Sequence, residues 1–183
     1  MSVPIESAFQ FCPRCGEANQ SPASIPFRCA ACGMTLFFGP VAAVGGLIVN
    51  EKGELLLVRR ARNPGKGRWG LPGGFVDRGE TIEQALQREV IEETQLRLVE
   101  QILLVTFPNS YDYHGVVSPV IDLFYLCRID NDAEIKLARD ELDHFVWTIP
   151  TAGHLDNMAF ESNRRAIEYW LGDETPDMSR TQR

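Results

Sequence analysis

Apolar residues run almost unbroken from Val41 to Val49, and the run from Glu54 to Arg60 is built on the apolar Leu55–Val58; both read as strands. Between them Asn50-Glu51-Lys52-Gly53 has the composition of a hairpin turn. Residues 61–74 (ARNPGKGRWGLPGG), with five glycines and two prolines, read as loop. A helical period follows. Projected at 100° per residue, Ile82, Ala85, Leu86, Val90 and Leu96 fall on one stripe. Thr81 with Gln84 three residues on forms a capping box at the start of this helix, which runs to about Gln95. Leu98–Phe107 and Val116–Ile129 read as strands around a loop holding Pro108, Asn109, Tyr111, Tyr113 and Gly115. A polar, acidic stretch from Asp130 to Asp143 leads to a short strand near Phe145–Thr148. A last amphipathic helix then carries Phe160, Ala166, Ile167, Trp170 and Leu171 near one side.

Before Pro40 the pattern is different: rich in Pro, Ser and Cys, poor in periodic apolar residues, and unable to make a core unless something staples it. The expected organisation is a small cysteine-held unit over 1–40, a larger domain over 41–171 and a loose tail over 172–183. Strands before and after a helix without a regular βαβ repeat give an α+β or sandwich-like fold. The 183 residues, 44% hydrophobic and 23% charged, suffice to bury a core. A net charge of −7 argues against a protein whose main task is to coat nucleic acid, and leaves small charged ligands that arrive with a cation. No apolar run approaches the ~20 residues of a membrane span, and the N-terminus has no basic segment followed by an apolar one. A soluble, cytoplasmic protein is the expectation.

Chemistry concentrates on the first helix. Glu89 and Glu93 fall inside its apolar stripe and Glu92 at the edge, so three carboxylates come within reach of one point. Buried carboxylates repel and desolvate, and such a cluster persists only if neutralised. A divalent cation with hard oxygen ligands does this and leaves room for phosphate oxygens. The alternative is a solvated helix whose glutamates pair with Arg88 and Arg97, each pair worth roughly 0.2–0.5 kcal/mol.

The spacing Gly74-x5-Glu80-x7-Arg88-Glu89-Val90-x-Glu92-Glu93 shifts that balance. It resembles the Nudix box, whose nine fixed or restricted positions are met at eight between Gly74 and Leu96, Gln95 standing where the family has glycine. A side chain there would cost ~1 kcal/mol in a left-handed cap, so a changed C-cap is expected. GRWGLPGG (Gly67–Gly74) is similar to the family's approach to the box, and the resemblance extends over Val41–Leu171.

The resemblance implies an αβα sandwich around a mixed sheet, and Mg²⁺- or Mn²⁺-dependent hydrolysis of a nucleoside diphosphate linked to another moiety. By position, Glu89, Glu93, Glu92 and the Gly73 carbonyl would hold the ion, and Arg88 with Glu80 would orient the glutamates. The base would be a box glutamate or an acid on a later loop: Asp140, Glu141 or Asp143. Arg59, Arg60, Arg62, Lys66 and Arg68 form a basic run ahead of the box. Of these Arg59, Arg60 and Arg68 are candidates for substrate phosphates, and Tyr111 or Tyr113 for stacking on a base. Trp69 and Phe107 are weaker candidates for that stacking.

Cys12-Pro-Arg-Cys15-Gly and Cys29-Ala-Ala-Cys32-Gly supply four thiolates for tetrahedral, structural Zn²⁺, which solves the stapling problem; two disulfides are the alternative. Cys127, in an apolar run, reads as a buried small hydrophobe. A ribbon ahead of a Nudix domain is similar to NADH pyrophosphatases and to ribbon-bearing enzymes acting on ADP-ribose or FAD. Only Phe107, Pro108 and Ser110 echo the NADH group's downstream signature. The expected function is therefore release of a nucleoside monophosphate from an ADP-ribose-, NADH- or FAD-like substrate. The competing readings are a non-catalytic nucleotide sensor and a nucleoside triphosphate sanitising enzyme. A homodimer is compatible with the pattern, and the ribbon, with Arg14 and Arg28 against Glu6 and Glu17, shows no basic surface for nucleic acid.

Overall fold

The computed structural model describes residues 2–130 and 134–172, so residues 131–133 of the acidic stretch and all but the first residue of the expected tail lie outside it. The elements are β1 (Val3–Pro4), α1 (Ile5–Ala8), β2 (Phe27–Arg28), β3 (Thr35–Leu36), β4 (Val41–Ile48), β5 (Leu55–Arg60), β6 (Trp69–Gly70), α2 (Ile82–Thr94), β7 (Leu98–Tyr113), β8 (Val116–Ile129), β9 (Leu142–Thr148), α3 (Ala152–Asp156) and α4 (Glu161–Leu171). Two compact units divide the chain, one of residues 1–41 with 108–121 and the other of residues 42–107 with 122–183.

In the larger unit, β4 and β7 pair with β8, while β5 pairs antiparallel with β6 on one side and β9 on the other. Side chains alternate between faces along a strand, and here the alternation sorts them into two cores. Val44 and Ile48 of β4, Leu56 and Val58 of β5, and Tyr125 and Cys127 of β8 pack with Ala85, Leu86 and Val90 of α2. Leu47, Leu55, Leu57, Phe124 and Leu126 pack with Ala166 and Ile167 of α4. Helix on each side of sheet is the sandwich that the sequence resemblance implies. Cys127 is fully buried, and burial pushes its thiol well above the ordinary range, as suits a small hydrophobe.

Several elements differ from expectation. The turn after β4 is present, with Asn50 Oδ1 accepting the amides of Lys52 and Glu54 at 3.0 and 2.9 Å and Gly53 at φ 75°. Yet the two runs meet at the isolated bridge Val49↔Leu55, just past the end of β4, and the strands go into different sheets. A two-strand signal cannot specify which third strand each run prefers. The segment 61–74 contains the short strand β6, held as the antiparallel partner of β5 through Val58↔Gly70 and Arg59↔Trp69.

The expected loop around Tyr111 is strand: β7 continues to Tyr113, and His114 and Gly115, at φ 51° and 84°, make the reversal. Pairing with β8 overrides the loop-like composition. In α4 the buried residues are Ser162, Asn163, Ala166 and Ile167, whereas Phe160 is the extended N-cap and Leu171 is exposed. Burying two polar residues shifted the stripe that apolar periodicity marks.

The smaller unit holds the antiparallel pair β2–β3 and the parallel pairing of β1 with the start of β8. Its core is Cys12, Phe27 and Cys29, with Cys32, Met34, Leu36 and Phe38 packed against it. That is a small apolar set, and the cysteines are part of it. Among the described residues no helix is long and apolar enough to cross a membrane.

Candidate active site

The α2 helix begins as its sequence dictates. Thr81 Oγ1 accepts the Gln84 amide at 3.2 Å and Gln84 Oε1 accepts the Thr81 amide at 2.9 Å. At its other end, Gln95 sits at φ 64°, ψ 8°, and donates its amide to Ile91 O. The left-handed cap survives without glycine, contrary to the expected change. Lys136 and Ala138 donate their amides to Thr94 O and Glu93 O at 2.9 and 3.0 Å, satisfying carbonyls that a helix end leaves open. These bonds over-determine the terminus, and Gln95 bears the strain.

Between those ends Glu93 is 5% exposed and accepts the Gly73 amide on Oε2 at 2.9 Å. Burial pushes its carboxyl up to about 8; the Gly73 bond opposes this, and the charges of Glu89 and Glu141 reinforce it. Burial also raises Glu89, against the pull of Arg88. Arg88 grips Glu80 with two bonds, Nε to Oε1 at 2.7 Å and Nη2 to Oε2 at 2.9 Å, a fork that holds the Glu80 carboxyl below its usual range. The same guanidinium donates from Nη1 to Glu89 at 2.8 Å and from Nη2 to Phe75 O at 3.1 Å. One guanidinium thus bonds Glu80, Glu89 and the Phe75 carbonyl at once. Glu92 is the least gathered of the three: more than half exposed, its Oε2 lies 3.3 Å from Arg88 Nη1. The carboxylates share a helix face, but Glu89 and Glu93 point inward and Glu92 lies at the rim.

The loop ahead of the helix is shaped to meet them. Val44 N donates to Gly74 O, Gly46 N to Pro72 O and Val76 N to Ala42 O, which lays residues 72–76 along β4. Gly73 is at φ 146°, and a Cβ there would fall 2.1 Å from Val44 O; a Cβ on Gly74 would fall 2.5 Å from Glu89 Oε1. Only bare backbone lets two carboxylates and a run of peptide groups approach this closely. One buried and one partly buried carboxylate, Glu93 and Glu89, both proton-favouring and beside hard carbonyl oxygens, are a donor set that fits a hard divalent cation.

The other candidates separate. On the late loop, Glu141 stands out: its charge is felt by both Glu89 and Glu93, its carbonyl accepts Ala61 N at 2.7 Å, and its Oε1 meets Arg62 Nη2 at 2.6 Å. Asp143 pairs instead with Arg59 at 2.7 Å, and Asp140 is exposed on the turn. Arg59 is therefore committed to a strand partner. Arg60 donates to Pro64 O at 2.6 Å and lies over the Phe160 ring at 5.2 Å, with a charge that reaches Glu93; Arg68 is exposed. Trp69 packs between the rings of His144 and His154, and Phe107 under Arg165. Tyr111 and Tyr113 stack on each other at 6.5 Å in the smaller unit. Sequence reasoning missed the Phe75 carbonyl and the bond from Tyr125 Oη to Glu83 Oε1 at 2.8 Å, which ties β8 to α2. No local pattern signals either.

In the smaller unit the four cysteine sulfurs lie within 4.8 Å of one another, the only such group of potential ligands among the described residues. Cys12 to Cys32 is 3.7 Å and Cys15 to Cys29 is 3.6 Å. Four sulfurs about 2.3 Å from a tetrahedral ion would be about 3.8 Å apart. Disulfides are absent. Each knuckle closes on its glycine, with Gly16 N donating to Cys12 O and Gly33 N to Cys29 O, at φ 77° and 71°. At Cys12, burial pushes the thiol up, but the backbone amides of Cys15 and Arg14 together with the sulfurs of Cys15 and Cys29 outweigh it and bring the group below the ordinary thiol range.

Comparison with known proteins identifies the family. The NUDIX domain model matches residues 39–169. An ADP-ribose pyrophosphatase from Methanocaldococcus jannaschii is 49% identical over 73% of this chain and 75% of its own. The NAD-capped RNA hydrolase NudC of Haemophilus influenzae is 36% identical over 75% of this chain, which spans only half of that relative. The crystal structure of a MutT NUDIX hydrolase from Burkholderia pseudomallei superposes with a TM-score of 0.59 at 29% identity, covering 72% of this chain and 98% of that one. With the carboxylate helix, its glycine loop and these likenesses in hand, the chain belongs to the NUDIX family and is a Nudix hydrolase with an N-terminal four-cysteine ribbon.

Proposed function

We propose that this protein hydrolyses the pyrophosphate bond of a nucleoside diphosphate joined to another moiety, an ADP-ribose-like compound in the first place and NADH- or FAD-like ones after it, releasing a nucleoside monophosphate. The observation that carries the reading is the inward pair Glu89 and Glu93, both with raised carboxyls, against the side-chain-free backbone of Gly73 and Gly74. The 49% identity to an ADP-ribose pyrophosphatase supports the substrate class. Glu89, Glu93, Glu92 and the Gly73 carbonyl would hold Mg²⁺ or Mn²⁺. Bound there, the ion would supply charge neutralisation on the phosphate oxygens and would make a water more acidic.

The chain's own residues do the rest. Arg88, itself fixed by Glu80, keeps Glu89 from rotating away. Glu141, held by Ala61 and Arg62, accepts a proton from the attacking water, while Arg60 adds positive charge to the site. A phosphoanhydride is already a good phosphoryl donor, so orientation and charge screening suffice. Four-thiolate Zn²⁺ closes residues 1–40 as a structural ribbon, in a reducing, cytoplasmic setting where thiols persist, and residues 41–171 form the hydrolase domain.

The test is to incubate purified protein with Mg²⁺ and ADP-ribose, NADH, FAD, NAD-capped RNA or nucleoside triphosphates, and to follow monophosphate release. Turnover of ADP-ribose that disappears in Glu93→Gln is expected. Binding without product, or triphosphates as the best substrates, would overturn the reading.

A further inference from the structure

The late loop and the catalytic helix are fastened together by backbone: Lys136 N and Ala138 N donate to Thr94 O and Glu93 O, and Glu141 N and Leu142 N to Ala138 O at 2.9 and 2.8 Å. Glu141 O accepts Ala61 N at 2.7 Å at the end of β5. The Glu141 backbone is therefore fixed relative to Glu89 and Glu93, but its carboxylate, a third exposed, can still choose among rotamers. The contact that selects among them is Arg62 Nη2 to Oε1 at 2.6 Å. The neighbouring acid Asp143 has its own arginine, Arg59, and its carbonyl is taken by Arg139 Nη1 at 2.9 Å, so neither cation is free to replace Arg62.

Resting on the reading of Glu141 as base, we infer that Arg62 is a positioning residue: it holds the Glu141 carboxylate toward the attacking water without touching substrate. Glu89 and Glu93, whose charges reach Glu141 from α2, would otherwise repel it outward. With Arg62 more than half exposed, the pair adds little to stability, as surface ion pairs do. Its value lies in geometry, where a displacement of about 1 Å can cost up to ~100-fold in rate.

The experiment measures kcat and KM of ADP-ribose hydrolysis for Arg62→Ala, Arg62→Lys, Glu141→Gln and the double variant Arg62→Ala/Glu141→Gln, with thermal midpoints alongside. Arg62→Ala should lower kcat about tenfold and change KM less than twofold, Arg62→Lys should recover most of the loss, and midpoints should stay within a degree or two. In the Glu141→Gln background the Arg62→Ala change should have no further effect, because Arg62 acts only through that carboxylate. Additive losses, or a rise in KM at constant kcat, would overturn the inference and make Arg62 a substrate contact. If Glu141→Gln itself turns over normally, the base assignment fails instead, a distinguishable result.

Discussion

Replacing Glu93 by Gln should remove activity and raise the stability of the magnesium-free protein, and the two effects have one cause. The Glu93 carboxyl is raised from 4.5 to about 8 in the fold, first by burial. A raised acid favours the protonated form in the native state, so ionisation opposes folding. The penalty is absent below about pH 4.5, grows as pH rises, and is complete above about pH 8. At pH 7 the interval of roughly 2.5 units corresponds to about 3 kcal/mol, which for a chain of this size is a thermal shift of roughly 6–12 °C. Gln keeps an oxygen to accept the Gly73 amide and carries no charge. The assay is a thermal melt of both proteins from pH 4.5 to 8.5 in magnesium-free buffer, then with Mg²⁺ added. The midpoints should coincide near pH 4.5 and separate with the variant higher as pH rises. Magnesium should then lift the wild type and leave the variant unmoved, since only a state that binds the ion gains from it. A variant that is equal or less stable across pH 6–8 would refute the claim that Glu93 is a buried charge awaiting neutralisation.

Gly74→Ala places a Cβ on the Glu89 carboxylate and should cost at least tenfold in kcat with a native circular dichroism spectrum. Arg88→Lys keeps the charge but loses the fork on Glu80 and the reach to Glu89; activity should fall by ~10-fold or more, read from initial rates, with Glu89 no longer oriented. Gln95→Gly relieves a left-handed side chain and should raise stability by up to about 1 kcal/mol in urea melts, offset in part by the entropy of glycine in the unfolded chain. Cys15→Ser should release bound zinc, measured with a thiol-sensitive chelator titration, and expose Phe27 in the smaller unit to proteolysis.

Legibility tracked how local each cause is. The capping box, the inward placement of Glu89 and Glu93, and the four-cysteine group needed only spacing along the chain, and each is present in the structure. The Gln95 cap defeated a local rule because bonds from residues 136 and 138, distant along the chain, hold the helix end. Glu141 could not be told from Asp140 and Asp143 in a run of acids; what separates it is the direction set by Ala61 and Arg62 on another strand. Likewise Arg59 read as a free cation until β5 met β9 and gave it Asp143.

What the sequence determined alone was therefore the chemistry: which carboxylates share a helix face and which thiols can share one ion. Helical period and knuckle spacing are short-range geometry, fixed before any packing occurs. Tertiary structure decided which of those groups is buried, which cation neutralises which acid, and where β4 and β5 part, because desolvation and pairing depend on neighbours that the chain brings together only when it folds.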